Sequence, residues 1–215
     1  MARRKHSGLS STSTVTLAGS ALTCPCHVCA LYNGPEDQYA TMLPWLKEAL
    51  ATGDRAFSLV EAKEVQERRN RLKHAGIDVD SAERDGQLVI QTWEETYLSS
   101  GGFDVEAMLG FVQETINTGR QLGFKRMRVW ANMEWALLDA PGVEQLAVYE
   151  SRLNYILPLY AEAVVCAYDS TRFPADVLED VLRAHPHLCA DGWAASQPHY
   201  VPPDRLVPEL ESKLQ

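Results

Sequence analysis

The chain has 215 residues, 46% hydrophobic and 23% charged, which are the proportions of a soluble globular protein built as one large domain. A net charge of −9 at pH 7 argues against a nucleic-acid surface, which needs concentrated basic charge. No apolar run approaches the roughly 18 residues that a membrane span requires.

Residues 1–23 open on Arg3-Arg4-Lys5 and are rich in Ser and Thr, so a disordered tail is expected there. An export signal would need an apolar core after the arginines, and none of adequate length follows. Next comes "CPCHVCALY" (24–32), with three cysteines and a histidine in six residues. Its second part, 27–32, reads as a strand. Pro35-Glu36-Asp37 then starts a helix with Met42, Leu43, Leu46 and Leu50 at helical spacing, stopped by Gly53. A strand over 56–61, a charged helix over 63–76 and a strand over 88–93 follow. Gly101-Gly102 breaks the chain. The spacing of Val105, Met108, Leu109, Val112 and Ile116 predicts a helix over 104–121 with Asp104 as its N-cap. A strand over 126–133, a helix over 141–156, a strand over 161–169 and a helix over 174–184 complete the alternation. Strand propensity is weak over 185–193, and 197–206 reads as extended. Leu206, Leu210 and Leu214 repeat at helical spacing, so residues 204–215 are expected to be a C-terminal helix or tail, suited to docking or to packing on its own domain.

Strands such as "VVCAY" are apolar on both faces, which suits a parallel sheet covered by helices on each side. The expected fold is a three-layer α/β domain with a mostly parallel central sheet over 24–203.

The chemistry is sparse. After the first strand stands Asn33-Gly34-Pro35-Glu36-Asp37, with no Gly-Lys-Ser/Thr to hold phosphates and two carboxylates that would repel them. No Gly-x-Gly-x-x-Gly, Gly-x-Ser-x-Gly or His-Glu-x-x-His occurs. No complete catalytic constellation emerges, so a binding module is favoured over an enzyme, with no catalytic residue and no cofactor assigned. Five cysteines at uneven spacing, Cys24, Cys26, Cys29, Cys166 and Cys189, do not form a disulfide scaffold and point to a reducing cytoplasm. Cys24, Cys26, His27 and Cys29 are the candidate metal or redox set. Strand alternation puts them on opposite faces, which opposes local closure of a four-ligand site. The plainer reading makes Cys29 a small core residue and His27 a hydrogen-bonded structural histidine. Asn132 and Glu134 flank Met133 at the end of a strand, where a site carboxylate or a helix cap would stand. His185 ends a helix, where it complements the dipole.

Taken in order, "HVCALY" (27–32), "GQLVIQTWEETYLSSGGFD" (86–104), "RVWANMEWAL" (128–137), "YESRLN" (149–154), "VVCAYD" (164–169) and "AHPHL" (184–188) resemble the methanogen/methylotroph sensory (MEDS) domain family across about residues 26–203. The resemblance implies a RecA/KaiC-like fold without a functional phosphate loop. It also implies sensing of small hydrocarbon derivatives, halogenated methanes included, in transcriptional regulators and signalling kinases. The family's motifs fall on His27, Cys29 and Tyr32, on Tyr97, on Tyr149 and Glu150, on Cys166, Tyr168 and Asp169, and on His185 and Pro186. One departure stands out: the family's Gly-Glu-Met is Ala131-Asn132-Met133 here, which removes a carboxylate. The expected ligand pocket lies at the C-terminal edge of the strands, walled by Tyr32, Tyr97, Trp135 and Tyr168, with His27 and Cys29 facing it from the first strand. No DNA-binding or kinase module is recognisable in these residues, so the expected output is through a partner protein or a homodimer, without direct contact to nucleic acid or membrane.

Overall fold

The computed structural model describes residues 13–214. The chain begins with a short antiparallel hairpin, β1 (Thr14–Leu17) and β2 (Ser20–Thr23). There follow β3 (Cys26–Tyr32), α1 (Pro35–Ala51), β4 (Arg55–Val60), α2 (Val65–His74), α3 (Val79–Arg84) and β5 (Leu88–Thr92). Next are α4 (Val105–Gln121), β6 (Met127–Asn132), α5 (Leu146–Ile156), β7 (Ala163–Asp169) and α6 (Ala175–Ala184). The chain closes with β8 (His187–Ala190), β9 (Trp193–Ser196) and α7 (Pro203–Lys213).

One sheet of seven strands, in the order β5-β4-β6-β7-β3-β8-β9, forms the middle layer, and every neighbouring pair but β8–β9 is parallel. β4 and β6 are buried along their whole length, as expected of strands covered on both faces. Successive side chains alternate between two cores. Cys26, Val28 and Ala30 of β3, Trp130 of β6 and Val165 of β7 meet α1, α2, α3 and the hairpin. Cys29 of β3, Val129 and Ala131 of β6, and Val164, Cys166 and Tyr168 of β7 face α4, α5 and α6. A third cluster, with Val148 of α5, Ala184 of α6 and Leu206 and Leu210 of α7, fixes the C-terminal helix to the outside of the second layer. The three-layer, mostly parallel architecture expected from the sequence is the one observed.

Local differences have physical causes. Residues 1–12 of the expected tail lie outside the described residues, and residues 14–23 are the hairpin, which buries Val15, Leu17 and Leu22. Residues 187–196 are paired strands, joined by Asp191 and Gly192, which both have positive φ. Residues 203–206, read as extended, are the first turn of α7, where Pro203 loses no needed hydrogen bond. The helix expected from 141 starts with a short 3-10 turn, and α5 runs from Leu146. Gly142 makes that turn possible: its φ is +87°, and a Cβ there would collide with the carbonyl of Phe103.

Candidate functional site

The C-terminal ends of β3, β6 and β7 open onto a cleft of about 260 Å³, walled by Tyr32, Gln38, Tyr39, Asn132, Glu134, Asp169 and Arg172 among others. It is a polar cleft. The turn after β3 is occupied by the chain's own carboxylate, since Asp37 Oδ2 accepts from the Asn33 amide at 3.0 Å. Arg68 of α2 is fully buried behind the cleft. Its guanidinium stacks 3.2 Å from the centre of the Trp130 ring and donates to Ser58 Oγ at 2.6 Å, Asn132 Oδ1 at 3.2 Å and the Tyr39 hydroxyl at 3.2 Å. Burial lowers its pKa. Glu134 turns into the cleft with Oε2 unpartnered, and burial pushes its carboxyl up to about 7.

A second constellation lies on the other side of the sheet, beneath α5 and α6. His27 projects from β3 and Cys166 from β7, the strand beside it. Glu150 descends from α5, and His185 caps the end of α6. Glu150 Oε2 lies 3.1 Å from His27 Nε2, 3.4 Å from His185 Nε2 and 3.4 Å from Cys166 Sγ. Cys166 Sγ is 3.5 Å from His27 Nε2, and the four donor atoms all fall within 4.8 Å of one another. Tyr168 donates its hydroxyl to Glu150 Oε1 at 2.7 Å. Burial acts to raise the Glu150 carboxyl, and only a proton or positive charge on the His185 or His27 side of the cluster lowers it below its usual range. Burial, with His185 beside it, lowers His27 to about 4. The Cys166 thiol is raised well above its ordinary value, chiefly by burial.

Between the sheet and α4 lies a small apolar cavity of about 30 Å³. Leu59, Met108, Ala131, Tyr149, Val164 and Cys166 are among the residues that line it. Next to it, Tyr97 stacks on Trp135 at 4.4 Å between ring centres, and Phe103 packs on Trp135 at 4.5 Å.

The family model for the MEthanogen/methylotroph, DcmR Sensory domain (MEDS) matches residues 26–186. The chain belongs to the MEDS family. It is 25% identical over 173 residues to the transcriptional repressor DcmR of Methylorubrum extorquens (strain DSM 6343 / CIP 106787 / DM4), an alignment covering 79% of this chain and 61% of that protein. The chain thus spans about three fifths of the length of this relative. Among solved structures it is similar to a KaiC-like protein of the hyperthermophilic archaeon Pyrococcus horikoshii OT3. The TM-score is 0.59 at 12% identity, over 80% of this chain and 74% of that one, a likeness of fold. No helix among the described residues is long and apolar enough to cross a membrane.

In this MEDS domain the six residues expected to wall one pocket are divided. His27 and Tyr168 meet around Glu150, and Cys29 is buried on the same side of the sheet. Tyr97 and Trp135 form the aromatic stack beside the apolar cavity. Tyr32 stands on the opposite face, in the polar cleft. The alternative metal set does not close around a point. Cys24 and Cys26 belong to the core on the hairpin side, and His27 and Cys29 point to the other, as the period of a strand dictates. Cys24 is instead lowered to about 7, mainly by its hydrogen bond with Cys26 and by Arg126 against the opposing effect of burial.

Sequence reasoning left Glu150, Asn154, Cys166 and His185 out of the site. A signal was present for Glu150. It shares a helical stripe with Leu146 and Leu153, both buried, and a carboxylate inside an apolar stripe is either paired or misplaced.

Proposed function

We propose that this MEDS domain is the sensing module of a transcriptional regulatory system, that its ligand is a small, weakly polar hydrocarbon derivative, and that it works in the cytoplasm. The family match supports sensing, and the similarity to a protein described as a transcriptional repressor supports the regulatory setting. The observation that carries the ligand class is the apolar cavity beneath α4, lined by Met108, Ala131 and Val164 and by Tyr97, Tyr149 and Cys166. Its volume of about 30 Å³ has room for about two water-sized groups, so it suits a one- or two-carbon compound. Even the most efficient small ligands gain only about 1.5 kcal/mol per heavy atom. Two or three heavy atoms therefore give an affinity no better than about millimolar. The output passes to a partner protein or a second copy of the chain, and the acidic net charge makes direct DNA contact by these residues unfavourable.

The test is a thermal-shift and calorimetric screen of one- and two-carbon halogenated and oxygenated compounds. At least one should bind, and Ala131→Val, which puts two methyl groups into the cavity, should weaken it at least tenfold with the circular dichroism unchanged. No binding by any compound of this class, or equal binding by the variant, overturns the reading.

A further inference from the structure

Hydrogen bonding around the buried cluster fixes where its protons are. The Asn154 amide is oriented by its Nδ2, which donates to the carbonyls of Glu150, Ser151 and Ala184 at 3.3, 3.1 and 2.8 Å. Its Oδ1 is therefore the acceptor that faces His27 Nδ1 at 3.2 Å, so that nitrogen carries the hydrogen. His185 Nδ1 lies 2.6 Å from the Val181 carbonyl and must carry its hydrogen as well. In the neutral imidazoles both Nε2 atoms are then bare lone pairs. Both point at the same oxygen, Oε2 of Glu150, itself a lone-pair acceptor. Three acceptors converging in a buried space, with the Cys166 thiol as the nearest donor, repel one another unless a positive charge stands between them. His185 Nε2 has no hydrogen-bond partner, and the two imidazole centres are only 4.0 Å apart.

We infer that His27 Nε2, His185 Nε2, Cys166 Sγ and a carboxylate oxygen of Glu150 bind a divalent first-row transition metal, zinc being the first choice, in a four-coordinate site. Ligands at zinc distances from the centre of a tetrahedron are separated by about 3.3–3.8 Å. Four of the six separations here are 3.1, 3.4, 3.4 and 3.5 Å, so only a slight expansion is needed. The mixed nitrogen, sulfur and oxygen set suits zinc, cobalt(II) or iron(II) and disfavours magnesium or calcium. Charge also balances: a dication with the Glu150 carboxylate, the Cys166 thiolate and two neutral imidazoles is neutral overall, which matters where water is absent. Binding releases the thiol proton, which the metal displaces. The supporting contacts of a metal centre are in place, with Asn154 and the Val181 carbonyl orienting the two imidazoles and Tyr168 the carboxylate. A proton on either imidazole would also supply a positive charge, but only a metal gives an equivalent of bound ion and a thiolate charge-transfer band. The inference does not rest on the sensing reading, because it can hold whether or not the apolar cavity takes a ligand.

The experiment is metal analysis of the full chain purified without chelator, followed by replacement with cobalt(II). The expected result is one equivalent of metal per chain. The cobalt form should show tetrahedral d–d bands and a thiolate-to-cobalt charge-transfer band. Cys166→Ser should lose the charge-transfer band and lower zinc affinity at least tenfold. Cys26→Ser, on the other face of the sheet, should change neither. Folded wild-type protein that retains neither zinc nor cobalt at one equivalent overturns the inference, even if Cys166→Ser fails to fold. So does a charge-transfer band that survives in Cys166→Ser or vanishes in Cys26→Ser.

Discussion

Burial sets the chemistry of Glu134. Its carboxyl is raised from 4.5 to about 7 by loss of solvent, helped by Glu64 and Asp169 and opposed by its own amide and by Arg172. The folded state thus holds this proton to a higher pH than the unfolded chain does. Stability associated with the group is present at low pH and is lost as pH rises from about 4.5 to about 7. At full ionisation the gap amounts to about 3 kcal/mol. Glu134→Gln should therefore raise the melting temperature clearly at pH 8 and little at pH 5. An equal gain at both values would show that the side chain titrates normally. Single residues were only partly legible. His27 stood out as a polar group at the start of an apolar strand. His185 was read as a complement to its helix dipole, and its Nδ1 does bond the last turn; its Nε2 does something else, and sequence treats the two nitrogens as one residue.

Among the elements, the hairpin at 14–23 was hidden by composition. Ser and Thr suggested disorder, yet Thr14-Val15-Thr16-Leu17 alternates in the strand period, with Val15 and Leu17 inward. The Asp-Gly pair at 191–192 is likewise a hairpin signal, masked by the weak strand propensity around it. Helices with caps and long stripes, such as α4 with Asp104 accepting from the Ala107 amide at 2.8 Å, were readable almost to the residue. The hairpin is part of the first core. Leu17 is 1% exposed, and truncating a buried leucine costs about 2–5 kcal/mol. Leu17→Ala should therefore lower the melting point by about 4–20 °C in a chain of this size. A loss of under about 1 °C would mean that the hairpin is only loosely attached in solution.

For the whole molecule, the layered fold followed from strands apolar on both faces alternating with one-sided helices, a pattern that survives without any knowledge of contacts. The buried cluster did not follow, because β3, α5, β7 and the end of α6 build it together, and His27 and Glu150 are 123 positions apart. No local spacing encodes that meeting. The way these elements close over the cluster also sets a timescale. None of its four side chains is more than 2% exposed, so an ion has no open route in or out of the folded chain. Entry must wait for a transient opening of the layer above it, and such openings are governed by local stability rather than by diffusion. An ion captured during folding would then stay long after free metal has disappeared, so occupancy would record the conditions under which the chain was made. Release of zinc to a chromophoric chelator should be slow in buffer and much faster in mild urea, whereas equal, rapid release in both would reveal an open path. Such a centre would act less like a gauge of present metal supply than like a date stamp.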